Sequence, residues 1–447
     1  MKKIYIDTLG CAKNEYDSQM LAAELIKRGC SLVFEPEEAD YLIVNTCGFI
    51  DDAKRESIER IFELSEYDDK KLIVTGCLSQ RYHDELVTEM PEVSMFFGVN
   101  DYDRIPDIIM EDGSSACADE SPLADMVDMV DMVGESEDDL PYRVRILPEG
   151  SHTGVLKIAE GCNNACSFCA IPSIRGKFRS KKIEDCIHEA EDMAEAGITE
   201  IVLIAQDTSQ YGIDLYGKLM LPELIKKIAE IEKIHWIRLM YVYDNGITDE
   251  LIDVIASEPK VCKYIDIPIQ HISDNVLRRM RRQSTSASIK ECINKLRQRI
   301  PGIHIRTTLL VGFPGESEED FAELLQFIDE YELDRLGAFA FSDEEGTASY
   351  LLDGKLDEEL KLARQEAVMQ HQQAVSEKLN ARKVGQQMEV LIEESCGNGT
   401  YVGRSQFDAP EIDCDVIVFS EREIELGEYI NVEITEAYEY DLEATEV

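Results

Sequence analysis

The stretch Gly161-Cys162-Asn163-Asn164-Ala165-Cys166-Ser167-Phe168-Cys169 follows a short apolar run, Val155 to Ile158, and spaces three thiols as Cys-x3-Cys-x2-Cys. Soft thiolates select iron–sulfur clusters or zinc over a hard cation. A closed structural zinc site takes four ligands, usually in two separated pairs. No Cys or His follows Cys169 within the next fifteen residues. Three thiolates on a four-iron cluster leave one iron open to a substrate. The plainer alternatives are three packed cysteines, or a zinc knuckle that borrows a distant fourth ligand.

From Val155 onward, strand-like and helical patterns alternate six times. The strand-like runs are Val155 to Ile158, Glu200 to Ile204, Trp236 to Tyr241, Tyr264 to Ile267, His304 to Val311 and Arg335 to Phe341. Helical patterns such as Ile183 to Ala196, Leu221 to Ile231 and Glu318 to Tyr331 separate them. Six βα units predict a partial (β/α)6 barrel, with chemistry at the carboxyl ends of its strands. The cysteine stretch follows the first of these ends. Others carry Gln206-Asp207-Thr208, Gln270-His271 and the run from Val311 to Glu316. The glycines of the last permit close backbone approach to a bound molecule, although an ordinary turn before a helix explains them equally.

Upstream lies an open parallel α/β sheet. Its strands are Ile4-Tyr5-Ile6, Tyr41 to Val44 and Leu72-Ile73-Val74, with amphipathic helices around Ser18 to Arg28 and Ala53 to Leu64. Each strand runs into a cysteine beside a small or polar residue: Gly10-Cys11, Thr46-Cys47-Gly48 and Gly76-Cys77. Ligands of open parallel sheets lie beyond the carboxyl ends of the strands, so these three thiols are expected to converge as a second three-thiolate site. Cys30, Cys186, Cys262 and Cys292 sit within helical or strand patterns without partner spacing and are expected to pack as small apolar residues.

Residues from about Glu111 to Pro148 break the pattern. The segment Asp125 to Val133 repeats Asp-Met-Val with period three, which suits neither helix nor strand. A linker or surface insertion is expected. After a helical connector, Leu362 to Ala381, four short alternating runs beginning at Met388, Thr400, Val416 and Tyr429 predict a small all-β barrel.

A 447-residue chain with 44% hydrophobic residues can build several cores. No apolar run approaches the roughly 20 residues of a membrane span, and no leader-like segment opens the sequence, so a soluble cytoplasmic protein is expected. Thirteen cysteines fit ligand chemistry in a reducing compartment better than a disulfide framework. The net charge of −46 repels nucleic-acid phosphate at long range and steers basic partners in. An acidic solvated surface without a partner gives the same number.

Together these features resemble the radical SAM methylthiotransferases over essentially the whole length. The resemblance implies a methylthiotransferase N-terminal domain at residues 1–117, an acidic linker or insertion at 118–147, a radical SAM domain at 148–380 and a TRAM domain at 381–447. It implies two 4Fe-4S clusters. One, on Cys162, Cys166 and Cys169, chelates S-adenosylmethionine and generates a 5′-deoxyadenosyl radical that abstracts hydrogen. The other, on Cys11, Cys47 and Cys77, binds the sulfur that is methylated and inserted. Gln206, Gly312 and Glu316 are carried as neighbours of S-adenosylmethionine, and an electron donor such as flavodoxin or ferredoxin is implied.

Within the family one branch modifies tRNA adenosine and another an aspartate β-carbon of small-subunit ribosomal protein S-twelve, free or on the ribosome. The runs Ile171 to Ser180, Asp334-Arg335-Leu336-Gly337 and Asp408 to Asp413 look like the second branch. From Asn380 to Val447 there are 17 Asp and Glu against four basic residues, which suits a basic protein and not a nucleic acid. A tRNA adenosine methylthiotransferase is the alternative. A non-catalytic iron–sulfur protein is a third reading, distinguished by failure to cleave S-adenosylmethionine when reduced.

Overall fold

The computed structural model describes residues 1–112 and 140–447. The Asp-Met-Val repeat and most of the expected linker lie outside them. The chain divides into two compact units. The first comprises Met1–Pro148, Ala159–Asn164 and Cys169–Asp185, and the second Glu149–Ile158, Ala165–Phe168 and Cys186–Val447.

The first unit is built on five parallel strands: β1 (Lys3–Thr8), β2 (Ser31–Leu32), β3 (Tyr41–Thr46), β4 (Lys71–Gly76) and β5 (Met95–Phe96), in the order β2-β1-β3-β4-β5. Successive strand side chains point to opposite faces. Ile43 and Ile73 therefore pack with Leu21 and Leu25 of the helix Ala12–Lys27 and with Ile105 and Ile109 of the helix Arg104–Glu111. Leu42, Val44, Leu72 and Val74 meet Ile61 and Leu64 of the helix Asp51–Ser65 on the other face. Every residue of β3 is buried, as expected for the centre of a sheet covered on both sides. The sequence revealed β1, β3 and β4. The edge strands β2 and β5 have two residues each, too few for a periodic signal.

In the second unit β6 (Thr153–Lys157) opens the barrel strands. The short β7 (Ala159–Glu160) and β8 (Arg179–Ser180) pair antiparallel within the first unit. The remaining barrel strands are β9 (Glu200–Ile204), β10 (Trp236–Leu239), β11 (Tyr264–Asp266), β12 (His304–Val311) and β13 (Arg335–Ala340). They form parallel sheets β10-β9-β6 and β11-β12-β13, joined by a parallel bridge between Ile237 and Val261. All six expected strands are present, and the helix expected from Glu318 to Tyr331 spans Glu318–Tyr331.

The chain ends in β14 (Gln387–Gly397), β15 (Thr400–Ser405), β16 (Val416–Phe419), β17 (Tyr429–Ala437) and β18 (Leu442–Glu446), closed as a barrel in the order β14-β15-β16-β18-β17. Closure leaves no unpaired edge. The sequence gives little sign of β18, because only Leu442 and Ala444 point into the core among its charged neighbours.

This module docks against the amino ends of the barrel strands. Glu200 opens β9, where its carboxylate accepts from Arg238 Nε and Arg404 Nη2, both at 2.7 Å. Tyr264 opens β11 and donates to Asp413 at 2.6 Å, and Arg335 opens β13 and meets Asp408 at 2.5 Å. Trp236 lies edge-on to Tyr429, with ring centroids 4.9 Å apart. The carboxyl ends, where barrel chemistry resides, lie at the opposite edge of the same strands.

Candidate active site

Cys11, Cys47 and Cys77 come together because β1, β3 and β4 are adjacent and parallel. Each strand ends just before its cysteine: Cys11 is the N-cap of the helix Ala12–Lys27, and Cys77 begins the helix Cys77–Arg81. Asn14, fully buried one turn after Cys11, ties the three ends together. Its amide nitrogen donates to Leu9 O at 2.8 Å and Thr46 O at 3.0 Å, while its side-chain oxygen faces the Cys77 thiol at 3.7 Å. Gly10 lies so close to Cys47 that a Cβ there would come within 2.8 Å of the Cys47 Cβ. The buried Ser57 hydroxyl accepts from Cys47 N–H and donates to Cys47 O, both at 3.0 Å.

The electrostatics fit a cluster-binding donor set. Burial pushes the Cys47 thiol up to about 11, and the negative charges of Cys77 and Cys11 add to the rise. Cys77 is raised by burial and by Cys11, against the pull of Arg175. Desolvation by the surrounding chain works against the Cys11 thiolate, but Lys13, Arg175 and the backbone N–H groups of Lys13 and Asn14 overcome it, so this thiol is more acidic than usual. Its place at a helix N-terminus acts in the same direction. Three thiolates that oppose one another's ionisation call for a strongly positive partner. Among the described residues, no three His, Cys, Asp or Glu side chains converge tightly enough for a single metal ion. A cluster that takes one thiolate at each of three irons needs a wider set.

The second cysteine set lies on the loop after β6. Cys162 N–H donates to Gly176 O at 3.2 Å, and Phe178 N–H to Asn163 Oδ1 at 3.0 Å, which pins the start of the loop to the segment that leads into β8. The sulfurs of Cys162 and Cys169 accept backbone N–H groups from Asn164 and Ile171, each at 3.4 Å. In the second unit, Ser167 N–H donates to Met280 O at 2.9 Å, and Phe168 packs against Phe313 of the apolar cluster that includes Phe341. Cys166 thus stands at the carboxyl ends of β12 and β13. Arg282, stacked over Tyr243, reaches to 4.0 Å from its sulfur.

At this rim Gly312 and Glu316 are hydrogen-bonded to each other and to their neighbours. Glu316 Oε2 accepts from Gly312 N–H at 2.8 Å and Phe313 N–H at 3.2 Å, and Oε1 pairs with Arg364 at 2.7 Å. The neighbour that demands glycine at 312, where φ is +73°, is the Lys361 side chain, 2.5 Å from where a Cβ would stand. Gln206 follows β9, two residues past its end. Asp207 beside it is engaged locally by Ser209, at 3.1 Å to its N–H and 2.5 Å to its hydroxyl. His271 is fully buried; its Nδ1 accepts from Ser273 N–H at 3.0 Å, and burial pushes the ring down to about 3. Cys30, Cys186 and Cys262 are buried, as their pattern implied, whereas Cys292 is only partly buried.

Sequence reading missed Asn14, Arg175 and Arg282. Arg175 sits in the run Ile171 to Ser180 that resembles the family, but nothing in the spacing of Asn14 or Arg175 relates either to a cysteine in another segment.

Family profiles match the chain at residues 3–98 (Uncharacterized protein family UPF0004), 156–328 (Radical SAM superfamily) and 384–447 (TRAM domain). Among solved structures, the radical S-adenosylmethionine methyltransferase TsrM from Kitasatospora setae is similar in fold. It has a TM-score of 0.54 at 15% identity, over 76% of this chain and 75% of that one. Among curated proteins, the ribosomal protein uS12 methylthiotransferase RimO of Clostridioides difficile (strain 630) is 46% identical over 99% of this chain and 98% of its own length. The protein of that name from Thermoanaerobacter sp. (strain X514) is 45% identical over 99% of both. With likeness of that degree running from end to end, the chain belongs to the RimO family of radical SAM methylthiotransferases.

Proposed function

We propose that the protein methylthiolates the β-carbon of an aspartate in ribosomal protein uS12, with Cys162, Cys166 and Cys169 holding one 4Fe-4S cluster and Cys11, Cys47 and Cys77 the other. When bound, the first cluster with S-adenosylmethionine would supply the one-electron chemistry that opens an unactivated C–H bond, and the second would hold the sulfur that is methylated and inserted. The chain's own residues set the ligands in place. Backbone N–H groups orient Cys162 and Cys169, Phe168 anchors the loop at the barrel rim, and Asn14 gathers the ends of β1, β3 and β4.

One observation carries the choice of a protein substrate over tRNA: the four basic side chains of the acidic terminal segment are already engaged. Arg404 is buried between Glu200 and Glu393, Arg422 pairs with Glu428 and Glu446, Arg382 with Glu332, and Lys383 donates to Asn380. A tRNA-binding module offers basic groups to phosphate, whereas this surface suits the basic uS12 protein.

The test is anaerobic turnover with S-adenosylmethionine, a sulfide source and a reductant such as flavodoxin. Isolated uS12, intact small subunits and tRNA are offered separately and analysed by mass spectrometry. Gain of a methylthio group on a uS12 aspartate is expected. Its appearance on tRNA adenosine alone would overturn the reading. Among the described residues no helix is long and apolar enough to cross a membrane, which accords with a cytoplasmic site of action.

A further inference from the structure

We infer that Arg175 is a positioning residue that raises the reduction potential of the group held by Cys11, Cys47 and Cys77 and ties that site to the segment entering Cys162. The inference rests on the reading that those three cysteines hold a cluster.

Arg175 ends the short helix Ile171–Arg175, which begins two residues after Cys169. Only 2% of it is exposed. A guanidinium so deep in the protein must be paired, and its fork is divided between two tasks. Nη1 donates to Asp17 and Glu160, each at 3.0 Å. Nη2 donates to Asn14 at 2.7 Å and to the Cys77 sulfur at 3.4 Å. The carboxylates satisfy the charge, so the second nitrogen is not needed for that. It is spent on the residue that gathers the strand ends and on a cysteine of the site. Ala170 and Ile174 of the same segment pack on Cys77, so the contact is backed by apolar burial.

Glu160 stands two residues before Cys162, so one guanidinium holds together three stretches of the first unit: the start of the Cys162 loop, the first turns of the helix after Cys11, and Cys77 itself. Toward a cluster, an N–H donor at a ligating sulfur draws negative charge from the ligand and favours the reduced state. Asp17, on the far side of the guanidinium, adds negative charge and acts in the opposite sense. Lysine keeps the charge but has no planar fork with which to reach all four partners.

The experiment uses full-length protein carrying Cys162→Ala, Cys166→Ala and Cys169→Ala, reconstituted anaerobically, so that only the N-terminal site can hold iron. Iron content and the EPR-monitored reduction midpoint are measured with Arg175 intact and in R175Q, R175K and D17N. In R175Q the reduced-to-oxidised ratio at a fixed potential is expected to fall about tenfold, about 59 mV for a one-electron couple. R175K should fall less, and D17N should move the midpoint upward. Opposite signs for Arg175 and Asp17 are what electrostatic tuning gives and general loosening does not. Retained iron with unmoved midpoints in R175K and R175Q, or D17N moving downward with them, overturns the proposal. If R175Q loads no iron, R175K and D17N decide by the same signs. Absence of iron with Arg175 intact overturns the ligand reading and the proposal with it.

Discussion

Replacing Glu200 by Gln tests how the terminal barrel is held. Glu200 is fully buried and accepts from two equally buried arginines, Arg238 of β10 and Arg404 of β15. Burial works against its charge, yet Arg404 and Arg238 hold the carboxylate down to about 2, from an ordinary 4.5. A displacement of that size corresponds to about 3 kcal/mol favouring the charged, folded form. Because the folded value lies below the unfolded one, this stabilisation is complete at neutral pH and is lost as pH falls from about 4.5 toward 2. E200Q removes the anion at every pH and strands Arg238, at a cost of about 3–5 kcal/mol for a broken buried pair. The chain's single tryptophan, Trp236, touches Tyr429 across this joint, so its fluorescence during urea unfolding reports on docking. With a urea dependence of about 1–3 kcal/mol per molar, the fluorescence midpoint should fall by at least about 1 M. Iron content should not change, since the Cys162 loop follows the opposite end of β6. A midpoint within error of the parent's at neutral pH would refute the assignment of Glu200 as the ion that holds the joint.

The Cys162→Ala/Cys166→Ala/Cys169→Ala protein should keep about half of an expected eight irons per chain, as should the protein with alanine at Cys11, Cys47 and Cys77; full iron in either set, measured after anaerobic reconstitution, means that those cysteines are not ligands. Gly312→Ala should destabilise by about 1–3 kcal/mol, read by thermal unfolding, since φ is +73° and Lys361 occupies the Cβ position. Burial opposes ionisation of Asp408, but Arg335 and Lys383 hold it down to about 2. Its contribution should therefore be present above the ordinary carboxylate range and fade as pH drops toward 2, and D408N should flatten that acid limb of the stability curve.

The architecture was largely legible because strands buried on both faces read as continuous apolar runs and their flanking helices as a 3.6-residue rhythm. What escaped were elements too short or too polar to carry a period: β2, β5, β7, β8 and β18. The cysteines were legible for a topological reason. Parallel strands bring residues from distant segments to one edge, so Cys11, Cys47 and Cys77 could be grouped by their place after a strand. Asn14 and Arg175 could not. Their work is defined by what they touch, and a buried asparagine that bonds two strand-end carbonyls looks in sequence like any other helical polar residue.

The runs Asp334 to Gly337 and Asp408 to Asp413 offer a different lesson. Both resemble the protein-modifying branch of the family, and in the structure they are two sides of one joint. Arg335 meets Asp408, while Asp413 accepts from Tyr264 and lies 3.3 Å from Arg306. Members of both runs line a single cavity of about 280 Å³ with Met369 and Gln372. Residues of both runs thus dock the terminal barrel at the amino ends of the barrel strands. By pairing Arg404 and Arg335 inward, the joint removes two guanidinium groups from the surface. A surface on which carboxylates outnumber free cations attracts basic partners and repels phosphate, so where the arginines have gone matters as much as where the carboxylates remain.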